Sequence, residues 1–378
     1  MRKRYAAGNL LFISFLLLAV ISCKTDSVNN NTQATNSTQV VPAIATPTQL
    51  GLYESDSSIY RGLFMAVSQI GTSTVDYGLL FDTGSGGMVI DATGVLPASM
   101  ITATGFNFTG DSTIVDGITI TSQTNVVEYG DDASSLDKVY GNLAYASVTV
   151  GDQQGTVVIK RLPFFIYYKA VDAKGNKYAA HEFDVFGVSS EYDISFNNGA
   201  YITSPFSYFD PGNGLTKGFK MAALGTSHFS LDGTFVPGVV TLGLTTADLS
   251  PSSGFTMSQL TFYAGDGYAP VIQTSITYNT NKTVSTQAIF DTGTEPYSYI
   301  EDKTATSSLT LLPQNSPVSV TTSSGFNYAY TTLAADNLTY VENPTTTGAS
   351  VSIISLEYFL TGEYMLDYTN HRIGLKNN

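Results

Sequence analysis

The sequence predicts an all-β protein of two related lobes, and three observations carry that prediction. Short runs rich in β-branched and aromatic residues recur from about Gln49 to the end, and Gly-Asp, Asp-Gly, Asn-Gly and Pro-Gly turns separate them. Charged residues make up only 13% of the 378 residues, against the usual quarter or so, while Gly, Ser, Thr and Tyr are plentiful. The tripeptide Asp-Thr-Gly occurs once in each half, as LLFDTGS and as AIFDTGT. Each copy stands behind an apolar strand and ahead of a hydroxyl residue, an order that suggests two lobes rather than a solenoid.

The strand signals come in sequence as TVDYGLLF, GMVIDA, STIVDGITIT, ASVTVGD, GTVVIKRLPFFIYY, GVVTLGL, TFYAG and TQAIF. Helical signals are sparse; LTTADLS (244–250) and YIEDKTATSSL (299–309) are the two candidates for short helices. The N-terminus stands apart from the fold. Arg2, Lys3 and Arg4 precede the apolar run LLFISFLLLAVIS, as in an export signal, and the run is short for a spanning helix of about 20 residues. Val20-Ile21-Ser22-Cys23 resembles the bacterial lipobox, in which the Cys is lipidated and becomes the mature N-terminus. The expectation is a signal peptide over 1–22, a lipidated Cys23 with a flexible Asn/Thr/Ser-rich tether to residue 47, and lobes over 48–231 and 232–378. Cys23 is the only cysteine, so the mature fold would hold no internal disulfide. Lys24 after the Cys leans toward an outer-membrane rather than an inner-membrane anchor in the cell envelope.

A formal charge of −14 argues against nucleic acid, which needs a basic footprint. There is no GxSxG elbow for a serine hydrolase. His181, His228 and His371 are scattered and Asp131-Asp132 reads as a solvated hairpin pair, so no metal or other cofactor is expected.

The doubled Asp-Thr-Gly has a physical reading. An apolar strand delivers each Asp to a tight turn inside the molecule. The Thr reaches across to the partner loop, and Gly lets the backbone approach the neighbouring carboxylate. If Asp82 and Asp291 meet, the two carboxyls share one proton. The ionised member takes a proton from a water held between them, and the protonated member donates to a scissile carbonyl. The bland reading of each copy is an ordinary turn in which Asp accepts from its own following backbone.

The motifs in this order resemble the pepsin-like aspartic peptidases, the standard example of such a shared proton. LLFDTGSGGMVI resembles the first-lobe motif and AIFDTGTEPYSYI the second. VVEYGDDASSLDKVYGNLAYASVTVGD resembles the flap hairpin, with Tyr129-Gly130 at the flap tyrosine. FDVFGVS resembles the hydrophobic-hydrophobic-Gly segment through Val185, Phe186 and Gly187, and EYFLTGEYMLDYTNHRIGL resembles the closing strands. The resemblance implies a two-lobed fold with a cleft between lobes, a monomer that hydrolyses an extended polypeptide, and Asp82 and Asp291 as catalysts. Thr83, Gly84, Ser85, Thr292, Gly293 and Thr294 would support the pair, and Tyr129 and Gly130 would touch substrate. The chain also departs from the pattern. It has no Trp to bond the flap tyrosine, and Val89 lies near that place. Ser355, in SIIS, stands where the second hydrophobic-hydrophobic-Gly segment has Gly, and no basic propeptide is evident. These departures support an alternative, an inactive surface binding protein of the same fold. A third reading is an unrelated β-protein with two fortuitous turns.

Overall fold

In a computed structural model of the chain the described residues are 43–56, 61–129, 136–225, 229–230, 233–279, 281–335, 337–349 and 351–378. The expectations for the signal segment, Cys23 and most of the tether lie outside them, as do Gly130, Asp131, Asp132 and His228. Among the described residues one sheet has 14 strands and another has 8, with two small two-stranded sheets beside them. The fold is mostly β, as the strand pattern predicts.

Each Asp-Thr-Gly ends a strand of a different large sheet. Ser73–Asp82 alternates half-buried and exposed residues as far as Gly78, then is buried from Leu79 through Asp82. It pairs in parallel with Val185–Val188, with Phe186 opposite Phe81 and Gly187 opposite Asp82. Lys282–Phe290 repeats the arrangement with Ser352–Ile354, where Ile354 lies opposite Phe290. In both places the strand after the motif pairs antiparallel with that same short strand: Gly86–Asp91 on Val185–Val188, and Tyr297–Glu301 on Ser352–Ile354. Short, wholly apolar strands such as Val185–Val188 suit a position buried on both faces.

The larger sheet also takes in strands from the end of the chain. Gly362–Asp367 pairs with Thr216–Met221, and Arg372–Asn377 pairs with both Gly362–Asp367 and Thr256–Gln259. The aromatic core reaches up to both motifs. Phe81 packs against Phe186, Phe206 and Phe219 with ring centroids 6.1–6.4 Å apart. Phe290 meets Tyr358 at 4.6 Å and Phe326 at 6.2 Å.

Three local expectations are corrected. Residues 244–250 are the end of a strand and a turn, because Asp248 accepts from the Thr245 N–H and hydroxyl and from Lys220, and Pro251 follows. YIEDKTATSSL begins as the strand Tyr297–Glu301, held parallel to Leu338–Glu342, and Glu301 is buried. TFYAG is a turn and not a strand: Gly265 and Gly267 both take positive φ, 96° and 72°, and Tyr263 closes on Gly267.

Candidate active site

Both Asp-Thr-Gly turns are buried against each other. Asp82, Thr83, Asp291 and Thr292 are fully buried. The threonines cross over in a near-symmetric lock. Thr83 Oγ1 donates to the Phe290 carbonyl at 2.8 Å, and Thr292 Oγ1 donates to the Phe81 carbonyl at 2.7 Å. Each Thr N–H donates to the other's Oγ1 at 3.0 Å. Both Thr hydroxyls and both Thr N–H groups thereby gain a partner across the two turns, which a pair of unrelated turns would have no reason to provide.

The carboxyls are held in matching ways. Asp82 Oδ1 accepts the Gly84 N–H at 2.8 Å and its Oδ2 accepts the Ser85 hydroxyl at 2.6 Å. Asp291 Oδ1 accepts the Gly293 N–H at 2.7 Å and its Oδ2 accepts the Thr294 hydroxyl at 2.6 Å. Each glycine lies on the opposite carboxyl. A Cβ on Gly84 would stand 2.5 Å from the Asp291 carboxyl carbon, and one on Gly293 would stand 2.7 Å from that of Asp82. Burial, then the charge of Asp291 and the hydrogen bond shared with it, push the Asp82 carboxyl up to about 8. Such an arrangement keeps a proton on a carboxyl at neutral pH.

Behind the motifs, Gly187 is required by contact: a Cβ there would meet the Ser85 carbonyl at 2.6 Å. Ser355, its counterpart opposite Asp291, is accommodated. It is fully buried, its N–H donates to Ser298 Oγ at 3.1 Å, and the two hydroxyls meet at 3.2 Å. The Asp291 N–H still donates to the Ile354 carbonyl at 2.8 Å, so the strand behind the second motif stays in register.

Tyr129 is buried at the end of the hairpin strand Ile118–Tyr129, which pairs with Asp137–Asp152. It lies in one apolar cluster with Val89, Val127 and Phe183. Burial, with the charges of Asp193 and then Asp82, pushes the Tyr129 hydroxyl well up. His181 bonds Asp184 and the Thr93 carbonyl, and His371 stacks on Tyr268. Among the described residues no three His, Cys, Asp or Glu side chains are grouped to hold a metal ion.

Sequence reasoning missed an ion cluster beside the second motif. Arg61 reaches Glu295, the residue after Thr294, through Nε at 2.6 Å and Nη2 at 2.5 Å, and it also bonds Glu357. The one available signal was a Glu placed directly after DTGT, in a chain with only 17 basic residues to meet it.

No protein-family model matches the chain, and no curated protein matches it. Among solved structures, the aspartic proteinase from Irpex lacteus is similar over 88% of this chain and 98% of that chain, with a TM-score of 0.56 and 17% identity. At that identity the likeness concerns the fold. Together with the paired sheets, it establishes that the chain has the pepsin-like aspartic-protease fold.

Proposed function

We propose that the protein is an aspartic endopeptidase. The observation that carries the proposal is the reciprocal lock of Thr83 and Thr292, which sets Gly84 against the Asp291 carboxyl and Gly293 against that of Asp82. Two carboxyls held so closely share one proton. The ionised member removes a proton from water, the water oxygen attacks the peptide carbonyl carbon, and the protonated member donates to the carbonyl oxygen. The resulting gem-diol collapses as the amide nitrogen takes a proton and leaves. Ser85 and Thr294 donate to the outer carboxyl oxygens and fix the plane of each. Nothing in this scheme needs a thiol or serine nucleophile.

The substrate is an extended polypeptide in a cleft between lobes 48–231 and 232–378, covered by the hairpin whose first strand ends at Tyr129. An extended chain offers backbone groups for strand-like hydrogen bonding. The signal segment and Cys23 support lipid anchoring in a bacterial cell envelope, and the resemblance implies a monomer. The test is to incubate the full-length chain in mild detergent with a diverse peptide mixture from acid to neutral pH. Cuts are mapped by mass spectrometry beside Asp82→Ala and Asp291→Ala. Cleavage abolished by either substitution supports the reading. A folded wild type that cuts nothing at any pH overturns it in favour of a binding protein.

A further inference from the structure

An aromatic surface begins beside the first Asp-Thr-Gly loop and crosses from residues of the first half of the chain to residues of the second. The Gly86 N–H donates to Asp193 Oδ2 at 3.2 Å, and a Cβ on Gly86 would meet the Glu191 carbonyl at 2.7 Å, so segment 191–193 lies against the loop. Next along that segment, Tyr192 stacks on Tyr201 with centroids 3.7 Å apart and planes 23° apart. Phe262 meets Tyr192 edge-on at 6.5 Å and Tyr268 at 5.2 Å, and Tyr268 lies flat on His371 at 3.6 Å. The backbone is shaped to hold this row. Tyr192 N–H donates to the Asp266 carbonyl, and a Cβ on Gly267 would stand 2.9 Å from the Tyr192 ring. Yet the row is open to solvent: Tyr201 is 40% exposed and Phe262 52%.

The segments that carry the row are acidic, and Arg372, next to His371, is paired with Asp367. Residues 178–216 and 221–281, which supply every ring but His371, contain no Lys or Arg, while Asp193 and Asp266 border the rings. Ring faces attract other rings and cations, and the carboxylates add to the attraction for cations. We infer that the Tyr192–Tyr201–Phe262 surface binds the part of the polypeptide substrate that extends past the dyad, selecting segments with aromatic and basic side chains. The inference rests on the peptidase reading, because continuity with the Gly86 loop is what makes the occupant a substrate.

Because the chain has no Trp, the emission of a tryptophan in a peptide is read without background. Two peptides share one cleavage site, and the longer carries a Trp-Lys-Tyr-Arg tail. With full-length wild type, the tail raises kcat/KM tenfold or more, mainly by lowering KM. A Tyr201→Ala/Phe262→Ala chain loses that gain but cuts the short peptide at the wild-type rate. In the uncleaving Asp82→Ala background, tail emission shifts to the blue, and the double substitution removes the shift. Equal gains in wild type and double variant overturn the inference while leaving the peptidase reading in place. Binding of chitohexaose to the surface with no peptide shift overturns it too. No cleavage of either peptide, with the emission shift intact, sinks the peptidase reading alone and leaves a peptide-binding surface.

Discussion

Gly84 and Gly293 show how little room the candidate site leaves. Their φ values are not in the left-handed region, so conformational freedom is not what requires glycine there; contact with the opposite carboxyl is. Gly84→Ala or Gly293→Ala is expected to push the carboxyls apart and lower kcat/KM about a hundredfold or more, with a smaller change in stability. Steady-state kinetics beside a urea titration checks this, and a fully active Gly84→Ala chain contradicts it. Asp82 allows a second test at this scale. Its carboxyl sits above the unfolded value, so its contribution to stability is full below about 3.8 and is lost as pH rises through about 8. Asp82→Asn removes that loss. The variant should therefore be more stable than wild type at pH 7.5 by on the order of 1–3 kcal/mol, with the difference closing at pH 3.5. Urea midpoints at the two pH values decide it. At this scale the sequence was most legible. The crossing role of each Thr followed from its neighbours, whereas the accommodation of Ser355 by Ser298 required knowing which strands lie side by side.

At the scale of elements, Arg61 ties the first residue of one strand to the turn that carries the second motif. The Glu295 side chain is 2% exposed and that of Glu357 is 6% exposed, so both carboxylates depend on the guanidinium for compensation. Arg61→Met keeps the aliphatic stem but removes the charge. It should cost about 2 kcal/mol in urea titration and lower kcat more than it raises KM, because Glu295 moves the Asp291 loop rather than the substrate. An unchanged kcat with weaker binding would place Arg61 in the substrate site instead. Beyond the Glu directly after DTGT the sequence did not point to this contact, since strand periodicity tells which face is buried and not which charge crosses to it. The misread elements have two origins. YIEDKTATSSL reads as a short helix, but its first residues continue a strand and Glu301 is buried. TFYAG has strand-like composition, but Gly265 and Gly267 fold it into a turn. Tertiary pairing overrode local preference in the first case and turn chemistry in the second.

At the scale of the whole molecule, the end of the chain joins elements of both halves. Arg372–Asn377 lies between Thr256–Gln259 and Gly362–Asp367, and Gly362–Asp367 pairs with Thr216–Met221, which itself pairs with Thr234–Leu244. The doubled motif made two matching strand arrangements legible in the sequence. It did not reveal that the last strands return to the first sheet, because a strand carries no local mark of its distant partner. Two halves that share a sheet and lock their loops through Thr83 and Thr292 should unfold together. Calorimetry is therefore expected to show one transition whose calorimetric and van't Hoff enthalpies agree. Ile373→Ala tests the coupling, because Ile373 is fully buried in the last strand. It should cost about 2–4 kcal/mol and move the single peak as a unit, although the substitution lies far along the chain from Asp82. If the peak instead splits, with one component staying at the wild-type temperature, the halves are independent. The shared sheet would then be a contact between two separately stable domains and not the backbone of one cooperative fold.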